Sequence, residues 1–136
     1  MMNVERKVTR DGIKIHGSND YNGMRMSCNL AAKTLDMISE HVYPGVTTDE
    51  LDKICHDFII LNNATPATLG YRGYPKSSCI SLNHVVCHGI PSNKKLKNGD
   101  ILNIDITCIL DGWFGDSSRM YIAGKANRKS QRLIQV

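Results

Sequence analysis

Asp105 and Asp116 are the two residues of this chain best placed to do chemistry together. They flank the dipeptide Asp111-Gly112, which favours a two-residue type I′ hairpin turn. A turn there pairs Leu110 with Trp113, so that Thr107 faces Asp116 and Asp105 faces Ser118. Alternate residues of a strand project to opposite faces. The two carboxylates therefore share a face as diagonal neighbours, about 7–8 Å apart at the backbone. From there they can converge on one or two cations. Without a cation, one of them tends to hold a proton. Oxygen ligands suit divalent ions such as cobalt, manganese, iron or zinc. The spacing alone also fits a solvent-exposed polar face with two incidental aspartates. Asp111 is accounted for as the turn residue.

His88 lies in Val-Val-Cys-His-Gly-Ile-Pro, where a strand is expected to give way to a turn made rigid by Gly89 and Pro91. Functional side chains are often presented this way, although a lone histidine is also a common structural residue. Cys87 beside it raises the idea of a thiol nucleophile with an imidazole base. Neighbours on a strand point apart, which argues against that pair. His16, His41 and His56 fit helix surfaces or chain ends, and His84 is ambiguous. The five cysteines are odd in number and form no CxxC pair, so neither a disulfide framework nor a structural zinc site is indicated.

The elements that must position these groups follow from periodicity. A short strand is expected at Ile13–His16. Ser18, Asn19 and Asp20 offer N-cap oxygens to a helix. Met24, Cys28, Ala31, Leu35, Ile38 and Val42 draw one apolar stripe along it. Pro44 and Gly45 end it. Thr47 and Glu50 form a capping box for a second helix, with Leu51, Ile54, Phe58 and Leu61 on its buried face and Asn62-Asn63 as its close. Gly70 to Pro75 reads as a shaped loop. Ser77–Leu82 and Val85–Cys87 are expected as short strands. Ile101–Leu110 is a strong strand whose even positions are all apolar, and Trp113 to about Ile122 returns beside it. Another helix is expected to begin after Lys125.

The 136 residues, 41% hydrophobic and 22% charged, suit one globular domain. No apolar run approaches a membrane span, and the first residues lack a secretory signal, so a cytoplasmic location is expected and a membrane partner is not. The net charge is a mild +4. Lys125, Arg128, Lys129 and Arg132 cluster near the end without interleaved aromatics. Such a cluster is more often a solvated helix face than a nucleic-acid site, and no specific nucleic-acid partner is expected.

Four segments together carry a family resemblance: Gly70-Tyr-Arg-Gly-Tyr-Pro-Lys-Ser-Ser-Cys79, Asn83-His-Val-Val-Cys-His-Gly-Ile-Pro91, Asn98-Gly-Asp-Ile-Leu-Asn-Ile-Asp105, and Asp111-Gly-Trp-Phe-Gly-Asp-Ser-Ser-Arg-Met120. Their order and spacing closely resemble type I methionine aminopeptidases of the bacterial kind. The likeness runs from about Ile13 to the end and leaves Met1–Gly12 as an N-terminal extension.

The resemblance implies an α/β (α+β) fold, the first half of a pita-bread domain, with two helices packed on an antiparallel sheet. Residues 13–136 would be the N-terminal half of the catalytic domain. It implies removal of the N-terminal methionine from nascent polypeptides, at the ribosome, by water activated at two divalent metal ions. Asp105 matches the bidentate aspartate and Asp116 the bridging one. His88 matches the histidine that hydrogen-bonds substrate near the scissile amide. Tyr71, Tyr74 and Cys79 match part of the methionine pocket. Asn83 and Val85 match a loop that holds a sodium or potassium ion.

Arg72 and His84 depart from the usual histidine and glutamate, which bears on substrate preference. The family's other metal ligands, one histidine and two glutamates, come from a second half that has no counterpart here. The chain alone is therefore expected to be weak or inactive. It could also be a non-catalytic binding half-domain, or one piece of a split enzyme with a complementary C-terminal half.

Overall fold

The computed structural model describes residues 8–136. Its organising element is a hairpin. Asp111 and Gly112 both adopt positive φ, +49° and +80°, as a type I′ turn requires. The turn joins β3 (Ile101–Leu110) to β4 (Trp113–Ile122). The register pairs Leu110 with Trp113, Thr107 with Asp116 and Asp105 with Ser118, as the turn chemistry predicts. The other side of β3 is shared by β1 (Thr65–Pro66), a strand not expected from the sequence, and β2 (Cys79–Leu82). All pairings are antiparallel.

Leu102, Ile104, Ile106 and Cys108 of β3 are fully buried. Burial of each aliphatic side chain among them is worth about 1.5–3 kcal/mol. Asn103, Asp105 and Thr107 occupy the opposite face and are only half-buried. The core is completed by α1 (Tyr21–Ile38) and α2 (Thr48–Leu61). One face of the sheet is thus covered by helices, and the other presents the polar residues.

The buried stripe of α1 is Ser27, Leu30, Ala31, Thr34, Leu35 and Ile38. Met24 and Cys28, expected on that stripe, are exposed instead. The helix is rotated because it lies directly on Gly115 of β4. A Cβ at Gly115 would fall 2.2 Å from the Ser27 carbonyl oxygen, and one at Gly23 would fall 2.2 Å from the Trp113 indole nitrogen. Ser27 Oγ donates to the Cys108 carbonyl at 3.3 Å. Near the other end, the Tyr121 hydroxyl donates to the Leu35 carbonyl at 2.6 Å.

The capping box of α2 forms as predicted: Glu50 N–H donates to Thr47 Oγ1 at 3.1 Å, and Thr47 N–H to Glu50 Oε2 at 2.7 Å. Leu51, Cys55 and Ile59 centre its buried face, while Ile54 and Phe58 are partly buried. Leu61, expected on that face, is 81% exposed. It lies two residues past Ile59, which sets it on the opposite side of the helix.

Two expected strands do not form. At Ile13–His16 there is only an isolated bridge between Val8 and Lys14. Val85–Cys87 is an exposed loop, with Val86 91% exposed. The chain leaves the sheet at Asn83, where φ is +53°. The Asn83 side chain occupies the place of a strand partner, accepting from Ile101 N–H at 3.1 Å and donating to Asp100 at 2.9 Å. Of the Met1–Gly12 extension, residues 1–7 lie outside the described residues, and Thr9 to Gly12 make a turn closed by Gly12 N–H on the Thr9 carbonyl at 3.0 Å. The expected terminal helix is α3 (Arg128–Gln135), capped by Asn127, and it buries no side chain. Among the described residues, no helix is long and apolar enough to cross a membrane.

Candidate metal site and substrate groove

The open face of the hairpin forms the floor of a groove of about 860 Å³, on which Asp105, Thr107 and Asp116 lie. That is the size range of small-ligand sites. Tyr71, Tyr74, Cys79 and His88 line its sides, with Ile90 and Phe114 adding apolar surface. The structure thus brings six of the residues singled out from the sequence onto one cavity. Asn83 and Val85 fall in the exposed turn after β2, outside it.

The electrostatics of the floor follow from its geometry. Burial first, then the charge of Asp116 and a hydrogen bond with it, raise the Asp105 carboxyl above its ordinary range. His88 acts on Asp105 in the opposite sense. Two neighbouring carboxylates, Asp105 half-buried and Asp116 exposed, favour a cation between them. The donor set fits divalent ions that take oxygen ligands. Among the described residues, no three His, Cys, Asp or Glu side chains gather as a metal-binding group. The floor therefore offers two carboxylates to a cation, not a complete cage.

His88 is held in the left-handed region, at φ +54°, a conformation that surrounding contacts must enforce in a residue with a Cβ. Its neighbour Gly89 supplies those contacts. Ile80 N–H donates to the Gly89 carbonyl at 2.8 Å, and Gly89 N–H donates to Ser81 Oγ at 3.1 Å. A Cβ at Gly89 would fall 2.2 Å from the Ile80 carbonyl oxygen. The His88 loop is thereby docked flat against β2. His88 lines the groove and Cys87 does not, so the thiol–imidazole pair gains no support.

Tyr74 joins the groove walls. Its hydroxyl lies 3.0 Å from both the Ser78 and the Gly89 carbonyl oxygens. Burial above all, with Cys79 beside it, holds its phenol far above the ordinary range. Burial likewise raises the Cys79 thiol, against a hydrogen bond from Tyr74. A protonated thiol is a wall, not a nucleophile. Tyr71 is exposed, and the Arg72 guanidinium sits 5.4 Å from its ring centroid, a cation–π contact at the groove rim.

Two contributors escaped the sequence reading. Asp52 is buried on α2, and its Oδ1 accepts from Ser77 N–H (3.1 Å), Ser78 N–H (2.8 Å) and Ser78 Oγ (2.7 Å). It anchors the segment that leads from Tyr74 into Cys79. The available signal was a carboxylate on the same stripe as Thr48, Cys55 and Ile59. Thr68 lines the groove with a buried hydroxyl that has no hydrogen-bond partner among the described residues. Nothing in its sequence context marked it.

The profile of Metallopeptidase family M24 matches residues 22–136. The chain is 60% identical over 124 residues to a methionine aminopeptidase of Rickettsia prowazekii, and 52% identical over 126 residues to that of Escherichia coli K12. In both cases 91% of this chain covers 48% of the relative, so the chain spans about half the length of the relatives it matches.

Among solved structures, the Rickettsia prowazekii enzyme superposes with a TM-score of 0.89 over 90% of this chain and 49% of its own. A methionine aminopeptidase of Thermotoga maritima, 28% identical, gives 0.86 over 90% of this chain and 49% of its own. Prolidase from Pyrococcus furiosus, at 20% identity, gives 0.73 over 89% of this chain and 34% of its own, a likeness of fold. These neighbours share the pita-bread architecture, of which this chain has helices on one face of an antiparallel sheet. The chain therefore belongs to Metallopeptidase family M24.

Proposed function

We propose that this chain supplies the first half of a dinuclear metallopeptidase site that removes the N-terminal methionine from nascent polypeptides in the cytoplasm. Residues 13–136 would form the N-terminal half of the catalytic domain and residues 1–12 an extension to it. The observation that carries this reading is the hairpin register. It sets Asp105 and Asp116 side by side on the floor of a groove walled by Tyr71, Tyr74, Cys79 and His88.

In this reading Asp105 and Asp116 hold two divalent ions (cobalt, manganese, iron or zinc), with the remaining ligands supplied by a complementary C-terminal half. Such ions, when bound, supply Lewis acidity and make water a nucleophile near neutral pH. A ring N–H of His88 donates to the substrate beside the scissile amide and stabilises the charge that develops there. The Tyr74 hydroxyl is already engaged with backbone carbonyls, so that residue offers ring surface. With Tyr71 and the protonated Cys79 it accepts the methionine side chain. The carbonyls of Asn83 and Val85 hold a sodium or potassium ion that stiffens the loop leading to His88. The substrate is met at the ribosome as its first residues emerge.

Titration of the purified chain with Mn²⁺, followed by paramagnetic broadening of amide signals, tests the site. Broadening centred on Asp105 and Asp116 is expected, and it should vanish in Asp105→Asn and Asp116→Asn. Binding that survives both substitutions sinks the assignment. At saturating metal, the chain alone should leave a Met-Ala-Ser peptide intact and gain turnover once a complementary half is added. Turnover by the chain alone refutes the need for a second half. Peptide binding without turnover in the complemented pair favours a non-catalytic binding domain.

A further inference from the structure

We infer that Arg72 is a specificity-determining residue of the groove, whose guanidinium receives the carboxylate of an aspartate or glutamate at the third position of the peptide. The inference rests on the peptidase reading, since it takes the groove's ligand to be a peptide with its methionine against Tyr71, Tyr74 and Cys79.

Arg72 is the only lysine or arginine that lines the groove among the described residues. It is exposed at the rim, 5.4 Å from the Tyr71 ring centroid. Stacking on a ring face leaves the N–H groups of a guanidinium open to a ligand, and Arg72 pairs with no carboxylate among the described residues. Lys76, four positions on, is by contrast tied to Asp49 at 2.6 Å. The charges that act on Asp105 are those of Asp116 and His88, so the Arg72 cation is not engaged by the floor.

The backbone fixes where this side chain stands. Arg72 has φ +48° and ψ +33°, the left-handed region, where a residue with a Cβ is held only by its surroundings. The loop supplies them through its own hydrogen bonds. Gly70 N–H donates to the Tyr74 carbonyl at 2.8 Å, Tyr71 N–H to Thr68 at 3.0 Å, Gly73 N–H to Gly70 at 3.2 Å and Tyr74 N–H to Tyr71 at 2.9 Å. A glycine would take this conformation without strain. The arginine instead sets a cation on the groove rim at the cost of that strain.

The position in the peptide follows from chain geometry. Alternate side chains of an extended peptide point the same way, about 7 Å apart. With the first side chain against Tyr71, Tyr74 and Cys79, the third meets the same wall, which Arg72 continues beside Tyr71. The second points away from it. A guanidinium there can take a planar carboxylate through two N–H groups. The anionic side chains of a nascent peptide are aspartate and glutamate, and this narrows the ligand to a carboxylate.

Titration of the isotope-labelled 136-residue chain with short peptides, followed by amide chemical shifts, tests this. The peptides are Met-Ala-Asp-Ser, Met-Ala-Asn-Ser and Met-Ala-Ser-Asp, each amidated to remove the terminal carboxylate. Met-Ala-Asp-Ser should bind about two- to five-fold more tightly than either of the others at low salt, and added salt should shrink that advantage. Arg72→Gly, which relieves the backbone strain, should erase the advantage, and Arg72→Lys should keep part of it. The inference is overturned, and the peptidase reading left standing, if the third-position aspartate brings no advantage or if the advantage survives Arg72→Gly. Failure of all three peptides to shift the signals of the groove residues overturns the peptidase reading and the inference with it.

Discussion

Replacing Asp52 with alanine removes the acceptor on which the pocket wall hangs. Its Oδ1 receives two backbone N–H groups and one hydroxyl, all from Ser77 and Ser78, and all in a buried setting. Hydrogen bonds to a charged acceptor are worth about 1.5–3 kcal/mol each, and every buried donor left without a partner costs about 1–3 kcal/mol. The three bonds share one oxygen and are not additive, and the Ser78 hydroxyl can turn elsewhere. The two backbone donors cannot. A net loss of about 3–5 kcal/mol follows, a large part of the roughly 5–15 kcal/mol typical of a domain. An asparagine at this position would keep an oxygen in the same place without the charge, so Asp52→Asn should cost about 1–2 kcal/mol. Urea unfolding followed by fluorescence of Trp113, the single tryptophan, measures both. The refuting result is an alanine variant within about 1 kcal/mol of the parent, or an asparagine variant as unstable as alanine. Either would mean that Ser77 and Ser78 are held by something other than this carboxylate.

Because burial and Asp116 raise the Asp105 carboxyl, the folded chain holds that proton more tightly than the unfolded chain does. Its contribution is then most favourable at acid pH and is lost as pH rises through the carboxylate range. Metal-free Asp105→Asn should accordingly melt above the parent at neutral pH and lose that advantage below about pH 4, the ordinary aspartate range; the opposite trend would contradict the assigned cause. Gly115→Ala drives a Cβ to 2.2 Å from a backbone oxygen of α1, and denaturant titration should show a loss of about 2 kcal/mol or more. Burial pushes the Cys55 thiol up to about 12, whereas Cys28 and Cys87 are exposed. Brief iodoacetamide labelling at mildly alkaline pH, read by mass spectrometry, should modify the latter two and spare Cys55 until the chain unfolds.

What the sequence revealed, and what it hid, divides by range. The hairpin was legible down to the pairing of Thr107 with Asp116, because turn chemistry and strand alternation are both local. The capping box at Thr47 was legible for the same reason. The face of α1 was not, since its rotation is set by close approach to Gly115, 88 residues past Ser27. Val85–Cys87 has the residues of a strand, yet Asn83 diverts the chain with its own side chain. Asp52 was not singled out, because its partners Ser77 and Ser78 lie 25 and 26 residues further along the chain. The groove's membership was legible only through the resemblance, since nothing in periodicity places Tyr71 and His88 near Asp116.

The hairpin has a consequence in time as well as in space. Its two carboxylates are eleven positions apart, and the contacts that align them all lie between Ile101 and Ile122. Hairpins close in about 1–10 μs, whereas a ribosome adds roughly 5–20 residues per second. The strands that carry Asp105 and Asp116 are thus able to find their pairing as soon as both have emerged. The walls close by a different route, since Asp52 must reach Ser77 and Cys79 must reach Asp105 across about 25 residues each, a longer loop to close. Floor before walls is the order of assembly that this topology favours.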